Sequence, residues 1–122
     1  EKIQEAESTK TMTELEKLCG DDKETYEALR NTMFIDPRKS QITMKEAAGN
    51  AKRFEGEKDF LKANVWYKIA GSLAIYEGNV KKVVEFFSEC EKISPGTTYL
   101  ILKNPERAVA KAREYYEKHL RA

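Results

Sequence analysis

A chain of 122 residues is long enough to bury one core and short for two. Hydrophobic residues make up 40% and charged ones 35%, and 22 Lys and Arg nearly cancel 21 Asp and Glu to leave a net charge of +1, which excludes wholesale disorder and any strong global field toward nucleic acid or anionic lipid. No apolar run nears the ~20 residues of a membrane-spanning helix, and the two cysteines, Cys19 and Cys90, have no metal-ligand spacing and read as free thiols.

Almost every segment repeats its apolar residues with a period near 3.6, which predicts an all-α fold of about six helices, stacked as antiparallel hairpins in one domain over 1–122. Residues 1–10 carry only Ile3 and Ala6 as anchors and read as a frayed end. Thr11 with Glu14 forms a capping box for a short helix bearing Met12, Leu15, Leu18 and Cys19 on one face, stopped by Gly20. Asp21 with Glu24 opens a second helix, its apolar side made by Tyr26, Leu29 and Met33, which ends where Asp36 meets Pro37. A third carries Met44, Ala47, Ala48, Ala51 and Phe54 and stops at Gly56.

The fourth helix is apolar on nearly every side. Ala63, Trp66, Tyr67, Ala70, Leu73 and Ala74 form one stripe and Val65, Ile69 and Tyr76 another, so neighbours are expected on both flanks, with Trp66 sandwiched between them. Gly78 as its C-cap and Asn79 as the next N-cap leave no room for anything but a tight hairpin to a fifth helix, with Val80, Val83, Val84, Phe87 and Cys90 inward. "SPG" at 94–96 breaks the chain, "TTYLILK" reads as a connector with a helical turn, and Asn104 and Pro105 open a last helix with Ala108, Val109, Ala112, Tyr115, Tyr116 and Leu120 on one face. Phe86 and Tyr99 are expected at exposed edges where further helices or another chain would dock.

Small residues interleaved with aromatics in "GSLAIYEGNVKKVVEFFSEC" resemble a tetratricopeptide repeat, a helix-turn-helix unit of about 34 residues. Tyr67 stands at the first-helix aromatic position, Gly71 at its small position, Val83 and Cys90 at the small positions of the second helix, Phe87 at the aromatic between them and Pro95 at the closing proline. Val83 departs from the usual alanine and Ala74 from the usual tyrosine. The hairpin spans about 64–97, and 42–121 forms the repeat-like core; 1–40 has no register. The resemblance implies a protein-interaction or scaffold domain that holds a peptide or helix in a groove lined by Asn50, Arg53, Lys68, Ser72 and Tyr76. Glu46 stands where the family's carboxylate-gripping version has a lysine, and Ile69 where it has an asparagine, which argues against that mode.

Catalysis needs convergent polar groups, and the lone histidine, His119, sits in the last turn of the last helix, where its charge suits the helix dipole. Cys90 at a small-residue position reads as packing. The expectation is a non-enzymatic domain without cofactor, catalytic residue or metal. The alternative is a nucleic-acid accessory role for the basic last helix, through Arg107, Lys111, Arg113, Lys118 and Arg121, although glutamates interrupt these cations. Absence of a secretory signal points to the cytoplasm, the initial Glu to a piece of a longer chain, and the Lys and Glu content to heat adaptation.

Overall fold

A computed structural model describes residues 14–33, 37, 39 and 41–119, and these hold six α-helices and no strand. The protein is all-α. Helix α1 covers 14–19, α2 Lys23–Arg30, α3 Met44–Gly56, α4 Phe60–Glu77, α5 Val80–Ile93 and α6 Pro105–His119, with a short 3-10 turn at Leu100–Leu102 between the last two. The expected cap at Thr11 and the apolar residues Met12 and Leu120 lie outside the described residues.

Local chemistry sets the boundaries. α2 is capped by Asp22, not Asp21: its carboxylate accepts the Thr25 N–H at 3.2 Å and the Thr25 hydroxyl at 2.6 Å. α3 opens with a capping box, in which Thr43 Oγ1 accepts the Glu46 N–H at 3.1 Å and Glu46 Oε1 accepts the Thr43 N–H at 3.2 Å. Gly78 ends α4 in the left-handed region, at φ 73°, and Asn79 Oδ1 then accepts the Lys82 N–H at 3.1 Å, so the two-residue hairpin forms as its sequence requires. "TTYLIL" supplies the 3-10 turn.

α4 is the centre of the packing. α3 lies along one flank through Ala47 and Ala51, α5 along the other through Val83, Phe87 and Cys90, and α6 covers the C-terminal half. Three neighbours explain why an 18-residue helix can be apolar nearly all round. Small residues allow close approach: a Cβ built on Gly71 would stand 2.5 Å from Phe87 Cε2, so ring and backbone are in direct contact. Burial of Phe87, wholly inaccessible here, contributes roughly 1.5–3 kcal/mol. Trp66 is only half-buried; the aromatic sealed inside α4's packing is its neighbour Tyr67.

Two further expectations are corrected. Phe86 and Tyr99 are buried rather than exposed at edges: Phe86 tilts against Tyr67 with ring centroids 6.4 Å apart, and Tyr99 against Phe87 at 5.3 Å. Tyr99 is also held by its backbone N–H, which donates to Glu91 Oε2 at 2.8 Å and draws the connector onto α5. Val84, expected inward, lies on the exposed side of α5. α2 rests on the 3-10 turn and α6 rather than on the central helices. Among the described residues the packing gives no evidence of tetratricopeptide-like repeats.

Candidate partner-binding surface

The five residues expected to line a groove come from α3 and α4, and the structure separates them. Arg53 is exposed, with its guanidinium carbon 4.6 Å from the centroid of the Phe54 ring, and Asn50 is half-buried one turn earlier. Lys68 is half-buried in the middle of α4. Ser72 is only 2% exposed, and Tyr76 stands edge-on to Tyr116 of α6 with centroids 4.9 Å apart. Tyr76 therefore lies beneath α6, and Ser72, one turn earlier on the same side of α4, is buried as well. Ser72 Oγ has no hydrogen-bond partner there.

Toward its N-terminus, the same side of α4 is uncovered. Leu61 and Val65 stand one turn apart, four residues before Ile69 in the same row, and are 79% and 47% exposed; Phe60 beside them is 46% exposed. No other large hydrophobic among the described residues is as open as Leu61. The sequence placed Val65 and Ile69 in a stripe that a neighbour should bury. Spacing by four extends that stripe back to Leu61, and this was the available signal. Where α6 stops could not be read from spacing.

Charged groups gather beside this patch. Lys62 Nζ lies 5.4 Å from the Phe54 ring centroid, so the ring carries a cation from each helix, Arg53 and Lys62. Asp59 caps α4 by accepting the Lys62 N–H at 3.3 Å and pairs with Lys62 Nζ at 3.7 Å. Glu55 is turned inward, accepting the Tyr67 hydroxyl at 2.7 Å; burial first, and this carboxylate second, push the Tyr67 phenol well above the usual tyrosine range. Among the described residues Lys52, Arg53 and Lys58 make no ion pair.

The basic last helix is arranged differently. Arg107 Nε lies 2.7 Å from Asp22 Oδ2, tying α6 to the cap of α2, and Lys111 Nζ lies 2.8 Å from Glu114 Oε2. This pair links neighbouring turns of α6 at i, i+3 spacing. Hydrogen bonds from Thr25 first, then the Arg107 charge, hold the Asp22 carboxyl below the usual carboxylate range, and Lys111 does the same for Glu114. Arg113 lays its side chain along Gly78, Lys118 is exposed, and Arg121 is outside the described residues. Cys19, Asp22, Arg107, Ala110, Lys111 and Glu114 line an open cleft of about 490 Å³ whose charges are already matched with one another.

The thiols sit where reactivity is suppressed. Cys90 is fully buried, its Sγ donating to the Asn64 carbonyl at 3.9 Å, and desolvation pushes its pKa up to about 12; burial raises Cys19 as well. His119 stacks on Tyr115 at 4.8 Å, and its Nε2 is 3.9 Å from Glu14 Oε2. Among the described residues no His, Cys, Asp and Glu group could hold a metal ion, and no helix is long and apolar enough to cross a membrane. No protein-family model, curated protein or solved structure matches the chain.

Proposed function

We propose that this is a non-enzymatic protein-interaction domain that seats a peptide or helix of a partner protein on the open half of α4. The observation that carries the reading is the row of Leu61 and Val65, left in solvent on a helix whose other sides are occupied by α3, α5 and α6. Exposed leucine and valine in one row, on a rigid helix held from three directions, form a pre-organised anchor site that needs no reordering on binding. A tetratricopeptide-like character for the α4–α5 hairpin belongs to the same proposal and rests on the resemblance of its sequence, with Tyr67, Gly71, Phe87 and Pro95 at the repeat's positions. Of the five groove residues expected from sequence, Arg53 shares the Phe54 ring with Lys62, next to Leu61 in sequence, whereas Ser72 is buried and Tyr76 packs on Tyr116 of α6.

Affinity capture from native lysate compares the wild-type chain with Leu61→Asp and Val65→Asp, monitored by quantitative mass spectrometry. A protein retained by the wild type and lost with both variants, at unchanged thermal midpoints, is the expected outcome. An identical retained set for all three chains rules the surface out.

A further inference from the structure

We propose that the occupant of this surface is an acidic amphipathic helix, one that lays an apolar stripe on Phe60, Leu61 and Val65 and sets carboxylates against Arg53 and Lys58. The inference rests on the interaction reading and adds the chemistry of the partner. Leu61 and Val65 repeat at one helical turn, which matches the i and i+4 anchors of a helix lying along α4 better than the alternate side chains of an extended strand.

The charge around the patch sets the sign of the partner. Of the three acids in 52–62, Asp59 caps α4 and pairs with Lys62, whereas Glu55, turned inward to the neutral Tyr67 hydroxyl, and Glu57 keep their charge. Of the cations, Lys52, Arg53 and Lys58 make no ion pair among the described residues. The segment 52–62, which leads into Phe60 and Leu61, therefore holds these three cations against two carboxylates, one of them turned inward, so its outward charge is positive although the whole chain is nearly neutral. Arg53 is held over Phe54 at 4.6 Å, and the left-handed turn at Lys58, φ 61°, fixes the backbone between α3 and α4. A partner carboxylate would meet a cation already placed, which favours acidic partners mainly through encounter rate and register.

The test uses two synthetic helical peptides of about 18 residues, long enough for three anchors on one face. Both carry the same leucine stripe, one flanked by glutamates and the other by lysines, and each is titrated by fluorescence anisotropy into the full chain. The glutamate peptide is expected to bind, to weaken as salt rises, to lose roughly tenfold or more in affinity with Leu61→Asp, and to lose its salt dependence with Arg53→Glu and Lys58→Glu combined. These side chains are exposed, so an unchanged thermal midpoint verifies the fold of each variant.

Equal binding of the lysine peptide overturns the proposal. So does a Leu61-dependent dimer seen by light scattering, or retention on phosphatidylserine vesicles with neither peptide bound. A lysate partner lost with Leu61→Asp yet unaffected by Arg53→Glu with Lys58→Glu overturns the acidic helix and leaves the interaction surface standing. Indifference of all partners to Leu61→Asp removes both.

Discussion

The ring of Phe87 occupies the space that a side chain at position 71 would need: a Cβ there would meet Cε2 at 2.5 Å and Cζ at 2.6 Å. Gly71→Ala must therefore push apart the two helices at the centre of the domain. The expected loss is about 1–3 kcal/mol by overpacking, enough to outweigh the gain of up to ~1 kcal/mol in helix propensity. Gly49, with nothing within 4 Å of its would-be Cβ, provides the control: Gly49→Ala should stabilise by up to ~1 kcal/mol. Urea unfolding of the two variants checks both signs, and Phe87→Leu in the Gly71→Ala background should recover part of the loss.

Ser72 offers a test of which half of α4 is covered. Its buried hydroxyl lacks a hydrogen-bond partner, so Ser72→Ala removes a desolvated polar atom and should stabilise by about 1 kcal/mol. A serine lining a solvent-filled groove would change stability by less than about 0.5 kcal/mol in either direction. Thermal and denaturant midpoints distinguish the two.

Asp22 couples two jobs, and substitutions separate them. Asn can still cap α2 but cannot pair with Arg107, so Asp22→Asn should match Arg107→Gln in lowering the thermal midpoint, and Asp22→Ala should lower it further. Because the folded-state pKa of Asp22 lies below its unfolded value, its stabilisation is present above that unfolded value, roughly pH 3.9, and is lost as pH falls through the folded value. Midpoints of the wild type and Asp22→Asn, measured from pH 6 downward by about 0.5 units at a time, should converge in acid.

At the alkaline end the direction reverses. Tyr67 has its pKa raised by burial and by Glu55, so the stability it contributes holds below the unfolded value of about 10 and is lost as pH rises toward the folded one. Tyr67→Phe should cost about 1 kcal/mol at neutral pH and flatten the loss of stability expected above about pH 10, as followed by thermal midpoints. Cys90, at about 12, should resist a disulfide reagent at pH 8 in the native protein and react at once in guanidinium.

Much of the fold was legible because it is written in local chemistry. Gly78 and Asn79 can do little except end one helix and begin another, Pro105 starts a helix, and the all-round apolar character of α4 required neighbours on several sides. The errors lie where position depends on distant chain. Asp22 rather than Asp21 caps α2, held by Thr25 three residues on and also by an arginine on the last helix, and only the first of these partners lies within reach of local reading. Phe86 and Tyr99 could be assigned to an edge or a core only by knowing how the connector folds back through Glu91. The groove residues on α4 followed helical spacing correctly onto one side, but spacing carries no information about how far along that side α6 extends.

Because α2 lies against the 3-10 turn and α6, with Arg107 clasping its cap, an early helix finds its main resting place on elements about seventy residues later in the chain, at Leu100–Leu102 and Pro105–His119. The middle three, α3 to α5, meet as they emerge in order, through contacts close in sequence. Assembly during synthesis is thus split: a central hairpin stack can set early, while α2 waits, undocked, until the fifteen-residue α6 has left the ribosome to receive it. Trimming the tail would accordingly be felt at the head.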